Sequence, residues 1–401
     1  MKSKNINNER MKIINSKVVL NYIREKVSVS RKVIADEVGL TQSAVTNIIH
    51  ELIEGGYVVE TGKGESDGGR RPVFIQLNAK AGYAIGIDLN VVKIICILTN
   101  FKAEIVERIE ADTNITEGQD KVIARIIDLI EKIIAQSGIA KEKICGIGLV
   151  SAGPYDREEG IMVNPPNFPG WLSVPIKDLI QDKLNIPTYF EKDTNAAAIA
   201  EHWYGDVSDV KNLFAMNIYD IGIGGGVIIN DQLFRGFKDG AANVGHMSID
   251  INGQLCKCGN TGCLETISSG IALLERVKSE IKKGKKSIIE QEVKDIDDIN
   301  IDIMINALKK GDSLTRMVFD EGARCMSVAI LNIVNLYSPE VIIMGGNFIN
   351  KCPFYKDMII KHVGAKKFPP NYNIKIVSTE FGDVQGALGG AVIALQEIFK
   401  A

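Results

Sequence analysis

The sequence predicts an α/β chain: a winged helix-turn-helix head, then a body of two related αβ halves. Three observations predict it. A Ser- and Thr-capped helix pair with a glycine turn stands near the start, and glycine-punctuated β-runs alternate with helices from Tyr83 onward. A strand, a turn carrying Asp and a second strand then occur twice, about 130 residues apart.

Composition bounds what such a chain can be. Its 401 residues leave room for two or three domains at roughly 100–200 residues each. No stretch reaches the ~18 apolar residues of a membrane span; the best candidate, Tyr83 to Leu98, is cut by Asp88, Asn90 and Lys93. The start, MKSKNINNERMK, is polar and lacks the apolar core of a secretory signal. Seven cysteines are too sparse for a disulfide scaffold, and the odd count points to reduced thiols. A cytoplasmic protein is expected. The net charge of −3 hides a division of labour. Residues 1–80 hold 13 Lys and Arg against 9 Asp and Glu, and the remainder holds 34 against 41. A basic head on an acidic body suggests two jobs.

Apolar residues at near-helical spacing make Ile14–Lys26 a helix. Ser30 caps a short helix, Arg31–Val38, which Gly39 stops. Thr41 caps a second helix, Gln42–Glu54, whose Ala44, Val45, Ile48, Ile49, Leu52 and Ile53 form one stripe. Its other face shows Gln42, Ser43, Thr46, Asn47 and His50, without the acids that a solvated face ordinarily mixes in. Such a helix enters the major groove with its N-terminal residues at base edges, and Gln or Asn can pair bidentately with adenine. Two strands, Tyr57–Thr61 and Pro72–Leu77, flank a glycine-rich loop that ends in Arg70 and Arg71, a wing suited to phosphate or minor-groove contact. A helical protein-interaction domain is the competing reading.

In the body, Ala84–Ile87, Asp88 and Lys93–Thr99 form the first unit of the repeat. Phe214–Ile218, Asp220, Gly222–Gly226 and Val227–Ile229 form the second. Two halves facing each other across a cleft is the actin-like sugar-kinase architecture, in which such turns hold nucleotide phosphates on backbone N–H groups. The helices Lys121–Gln136 and Gly386–Phe399 and the strand Gly146–Val150 fit this plan. His246, Cys256, Cys258 and Cys263 give H-x9-C-x-C-x4-C, a Cys3His set for tetrahedral zinc with no spare catalytic position, hence a structural site. Cys96, Cys145, Cys325 and Cys352 read as packing residues.

Together these residues resemble the ROK family (repressor, open reading frame, kinase), and within it the xylose-type transcriptional repressors. The resemblance runs from about Asn15 to the last helix. It is carried by Gly69–Pro72 at the wing, Asn164–Trp171, Lys192–Ala197, Gly245-His246 and Cys256–Glu265. It implies three parts: a reader over 1–78, a small lobe over 79–200 completed by the helix at 386–401, and a large lobe with the zinc loop over 201–385. It implies sugar contacts from Asn167, Asp193, Asn195, Asn243, His246 and Glu265, with Asp193 matching the general base of kinase relatives. Asp193 also reads as a helix N-cap ahead of Ala196–Trp203, and both roles are compatible.

Departures from the family's kinases decide between enzyme and sensor. Their first phosphate turn, Asp-x-Gly-Gly-Thr-Lys, here reads Asp88-Leu-Asn-Val-Val-Lys93. Valines take the place of a glycine and a hydroxyl donor. In the second turn Gly-Thr-Gly has become Asp220-Ile221-Gly222, and the added carboxylate would repel phosphate. A Glu two residues before the Gly-His pair has become Asn243. The expected function is therefore a sugar-responsive repressor of carbohydrate-utilisation genes, xylose among them. It would bind double-stranded operator DNA as a homodimer or homotetramer, with ligand-biased lobe closure setting the spacing of the heads, and no catalysis. An active sugar kinase with an accessory DNA-binding domain is the alternative. A repressor answering to a protein or a phosphosugar is a third reading.

Overall fold

In the computed structural model, which describes residues 2–63, 73–365 and 375–399, the head forms from local signals. Helix α1 (Lys2–Glu25) leads into β1 (Val29–Ser30), α2 (Arg31–Val38), α3 (Gln42–Glu54), β2 (Val58–Lys63) and β3 (Val73–Leu77). Ser30 Oγ accepts the Val33 N–H at 3.4 Å, and Thr41 Oγ1 accepts that of Ala44 at 3.2 Å. Gly39, at φ 68°, ends α2 in the left-handed region that glycine enters without strain. The strands pair in the order β1-β3-β2, all antiparallel. Two expectations are corrected. Helix α1 begins at Lys2 rather than Ile14. The buried stripe of α3 is Val45, Ile48, Ile49 and Leu52, while Ile53 is 37% exposed because each residue turns it about 100° further round. The wing tip, with Arg70 and Arg71, lies outside the described residues.

The chain groups into two units, 1–196 with 386–401 and 197–385. The first, which includes the head, continues through β4 (Tyr83–Leu89), β5 (Lys93–Asn100), β6 (Ile105–Asp112), α4 (Gln119–Ser137) and β7 (Ile144–Ser151). The short strands β8 (Tyr155–Asp156), β9 (Ile161–Val163) and β10 (Ser173–Val174) precede α5 (Ile176–Leu184), β11 (Thr188–Lys192) and α6 (Asp193–Tyr204), which passes into the second unit at Ala197. Its main sheet has the order β11-β7-β4-β5-β6. Strands β4, β7 and β11 are parallel; β5 runs antiparallel to β4, and β6 antiparallel to β5.

The second unit contains β12 (Leu213–Ile218), β13 (Ile223–Ile229), β14 (Gln232–Leu233), α7 (Glu265–Ser268), α8 (Gly270–Lys282) and α9 (Ile301–Lys309). After these come α10 (Ser313–Tyr337), β15 (Val341–Gly345), α11 (Asn347–Lys351), α12 (Pro353–Gly364) and β16 (Lys375–Ser378). Its sheet, β14-β13-β12-β15-β16, repeats the plan of the first: an antiparallel meander beside two parallel strands. Strand β13 starts at Ile223, so Gly224–Gly226 belong to the strand and not to the turn as the sequence suggested. A Cβ on Gly225 would come within 2.7 Å of the Phe214 ring, so the glycine makes room for a core aromatic. The core gathers on α10, whose Leu314, Val318, Phe319, Met326, Ile330 and Ile333 are buried at helical spacing.

The last helix, α13 (Gln385–Phe399), belongs to the first unit from Gly386 onward. It packs backbone to backbone: a Cβ on Gly148 would lie 1.8 Å from the Gly390 carbonyl oxygen, and one on Gly86 1.8 Å from that of Ala387. Its end meets the head. Asn21 Nδ2 donates to the Phe399 carbonyl at 3.2 Å, and the Phe101 ring lies between Phe399 (5.2 Å) and Tyr57 (5.9 Å). No helix among the described residues is long and apolar enough to cross a membrane.

Candidate DNA, metal and effector sites

Helix α3 buries one face and leaves Gln42, Ser43, Thr46, Asn47 and His50 exposed together. Three of the five already have partners. Ser43 Oγ lies 3.1 Å from Thr41 Oγ1. Thr46 Oγ1 donates to the Gln42 carbonyl at 2.7 Å, and His50 Nδ1 lies 3.4 Å from Glu54 Oε2. Of this set the two carboxamides, Gln42 and Asn47, carry the bidentate chemistry suited to an adenine edge.

The predicted metal set comes together. Ligand atoms of His246, Cys256, Cys258 and Cys263 all lie within 4.8 Å of one another. The Cys258 and Cys263 sulfurs are 3.6 Å apart, and Cys256 Sγ is 3.7 Å from His246 Nδ1. Tetrahedral bonds of about 2.0–2.3 Å require ligand edges of roughly 3.3–3.8 Å, a range that holds both of these separations, so the donor set fits zinc in type and at these two edges. Local backbone makes this possible. Gly259 and Gly262 sit at φ 92° and 68°, and a Cβ on Gly262 would lie 1.6 Å from the Asp250 carbonyl oxygen. Burial pushes the Cys256 and Cys263 thiols up, so their ionisation calls for a nearby cation.

Three predicted sugar contacts lie in the first unit. Asn167 is half-buried on a loop that is wedged by the buried Phe168–Trp171 ring pair, 5.1 Å apart. Asp193 is the first residue of α6, three residues earlier than its expected helix, and its Oδ1 accepts the Thr194 N–H at 2.7 Å. Asn195 is buried and held by a residue the sequence reading missed. Glu191 Oε1 accepts from Asn195 Nδ2 (2.9 Å), Tyr155 Oη (3.1 Å) and the Lys192 N–H (3.0 Å). A carboxylate only accepts, so the amide nitrogen of Asn195 must face Glu191. The other three contacts lie in the second unit. Asn243 is exposed and donates to the Gly240 carbonyl at 3.2 Å. His246 belongs to the metal cluster, and Glu265 Oε1 is 3.9 Å from Cys256 Sγ. A Cβ on Gly222 would come within 2.9 Å of Glu265 Oε2, so the glycine clears space for that carboxylate.

Both altered turns are tied by the chain's own side chains, although Asp220 Oδ1 is buried without a hydrogen-bond partner among the described residues. In the first, Asn90 Oδ1 accepts the Val92 and Lys93 N–H groups at 2.9 and 3.0 Å. In the second, Asn347 Nδ2 and Lys351 Nζ reach Asp220 Oδ2 at 2.8 and 3.3 Å. A third polar group, also missed, is Glu201 of α6. It is 1% exposed, and its Oε1 accepts from Thr379 Oγ1 (2.5 Å) and Gln385 Nε2 (2.9 Å). Burial pushes its carboxyl up to about 7, and the charges of Glu380 and Asp206 add to the shift against the two hydrogen bonds. Partners 178 and 184 residues away leave no local signature in a sequence.

A DNA-reading head joined to two repeats of one αβ plan, with a Cys3His cluster in the second, defines a class. The chain belongs to the ROK family, which matches residues 84–397, and residues 15–59 match winged helix-turn-helix DNA-binding proteins. It is 35% identical over 98% of both chains to the xylose repressor of Caldicellulosiruptor bescii. A solved ROK family transcriptional regulator, a homolog of the Escherichia coli Mlc protein, superposes with a TM-score of 0.82 at 27% identity, covering 97% of each chain. The glucokinase of Streptomyces griseus, solved with glucose and AMPPNP, matches 79% of this chain and 100% of its own with a TM-score of 0.68 at 25% identity.

Proposed function

We propose that this chain is a sugar-responsive DNA-binding transcriptional repressor of carbohydrate-utilisation genes, acting in the cytoplasm as a homodimer or homotetramer. The observation that carries it is the α3 face of Gln42, Ser43 and Asn47, exposed on a head that matches winged helix-turn-helix DNA-binding proteins, in a chain aligned over 98% of its length with a xylose repressor. The reader spans 1–78, with Arg70 and Arg71 reaching backbone or minor groove. The body senses a free sugar through Asn167, Asp193, Asn195, Asn243, His246 and Glu265, and xylose is the first candidate. Zinc on His246, Cys256, Cys258 and Cys263 is structural: it would pin the 246–265 segment and orient His246 and Glu265. The Asn21–Phe399 hydrogen bond and the Phe101 stack supply a physical link from body to reader. A sugar changes operator affinity only through its own preference between two states of the protein.

Gel shifts on the promoter flanking the gene, repeated with xylose, glucose and N-acetylglucosamine, test this reading. A shift that one sugar alters is the expected result. A shift indifferent to every free sugar transfers the effector role to a protein or a phosphosugar. Asn47→Ala is expected to weaken operator binding roughly tenfold, measured by anisotropy at fixed salt. The kinase alternative has the glucokinase likeness in its favour and both altered turns against it; ATP-dependent phosphorylation in a sugar panel decides it.

A further inference from the structure

We propose that Asp220 is a ligand built into the chain. Its carboxylate fills, from within, an oxyanion position defined by Asn347 and Lys351, closing that position to phosphate groups.

The geometry is compact and lies wholly in the second unit. Strands β12 and β13 are joined by the turn Tyr219–Gly222, in which the Tyr219 N–H donates to the Gly222 carbonyl at 2.8 Å. Asp220 stands at its tip. Asn347, the first residue of α11, grips it twice: Oδ1 accepts the Asp220 N–H at 3.0 Å, and Nδ2 donates to Oδ2 at 2.8 Å. Lys351, one helical turn later, brings Nζ to 3.3 Å from the same oxygen. The start of α8 holds the turn from another side: the Ile271 N–H donates to the Asp220 carbonyl at 2.7 Å.

Two glycines permit this approach. A Cβ on Gly270 would lie 3.0 Å from Asp220 Cα and 2.7 Å from the Phe348 ring. Gly346 has φ 98°, and a Cβ there would lie 2.4 Å from the Ile218 carbonyl oxygen. Three segments far apart in sequence therefore meet at Asp220, α8 at its backbone carbonyl and α11 at its carboxylate.

An amide N–H and an ammonium converging on one acid oxygen are donors that serve a phosphate or sulfate oxygen equally well. With Asp220 present these donors are engaged, and an incoming phosphate would have to displace the carboxylate and then sit beside its charge. The sequence reading took Asp220 as simple repulsion. The structure assigns it a second role, that of occupant, which ties the β12–β13 turn to α11 without any diffusible anion. The consequence rests on the reading of the chain as a sensor that works without nucleotide.

The test uses the full chain and inorganic phosphate, with ADP as a second probe and sodium chloride as the ionic-strength control. Isothermal titration is expected to give no phosphate binding to the wild type up to millimolar concentration. Asp220→Ser should bind phosphate at least tenfold more tightly than the wild type, and the gain should vanish in the D220S/K351A double variant. Wild-type binding as tight as that of the folded D220S protein overturns the proposal, and so does a folded D220S that gains nothing. Should D220S not fold, hydrogen exchange on Asn347→Ala carries the decision. Faster exchange in the peptide spanning 216–224, with the head peptides unchanged, is expected; unchanged exchange there overturns the clamp. Phosphorylation of a sugar by the wild-type chain would instead sink the sensor reading, so the two failures are told apart.

Discussion

The β4–β5 turn and the β12–β13 turn occupy the same place in two copies of one sheet plan, yet they are closed by different means. In the first unit closure is local. Asn90 accepts the N–H groups of Val92 and Lys93, and Thr113, next along the meander, donates its hydroxyl to the Asn90 carbonyl at 2.7 Å. In the second unit closure is distant: Asp220 is held by Asn347 and Lys351, 127 and 131 residues away. A side chain two or three residues off costs little to order, because the turn already places it. Partners more than a hundred residues away act only once β12, β15 and α11 have assembled. The first turn is thus a property of a hairpin and the second a property of a folded unit.

Four experiments test this contrast. The largest effect belongs to the second unit: Cys263→Ser or chelation is expected to remove one zinc per chain and destabilise that unit by on the order of 4 kcal/mol. Metal analysis and a thermal melt would measure it, and hydrogen exchange should leave the β4–β5 hairpin protected. If neither treatment moves the melt, the structural role of the cluster is wrong. Next comes a matching lesion in the first unit. Gly148→Ala puts a methyl where the Gly390 carbonyl oxygen stands 1.8 Å away, and a loss of about 3 kcal/mol in urea unfolding is expected.

The third lies in the second unit and depends on pH. Burial raises Glu201 from the ordinary 4.5 to about 7, so the folded state holds its proton longer than the unfolded chain does. Its favourable contribution is full below about 4.5 and is lost as pH rises through about 7, a change of roughly 3 kcal/mol. Both hydrogen bonds fall on Oε1, which Glu201→Gln retains. Melts from pH 5 to 8 should therefore flatten in that variant, and an unchanged slope would assign the pH dependence to other groups. The smallest effect returns to the first turn. Asn90→Ala should cost about 1 kcal/mol and speed exchange at Val92 and Lys93 alone, whereas Asn347→Ala should loosen segments on both sides of the second turn.

Much of the site was legible in residue spacing. The caps Ser30 and Thr41, the polar face of α3 and the Cys3His set depend on neighbours a few residues apart, or on one short loop, and the structure assembles each of them. Errors fell where a local pattern met a distant constraint. Gly224–Gly226 read as turn residues, but pairing with β12 draws them into β13, and Gly225 is needed beneath Phe214. Asp193 read as a cap, but α6 begins on it as β11 ends.

By itself the sequence determined the head, the repeat of strand and turn, and the metal donor set, because capping, periodicity and ligand spacing act over a few covalent bonds. The tertiary structure alone decided what Asp220, Glu191 and Glu201 touch, and that α13 lies directly on β4 and β7 through glycines. Those contacts join residues up to about three hundred positions apart. Only the order of strands in the two sheets brings such residues within hydrogen-bonding or packing distance.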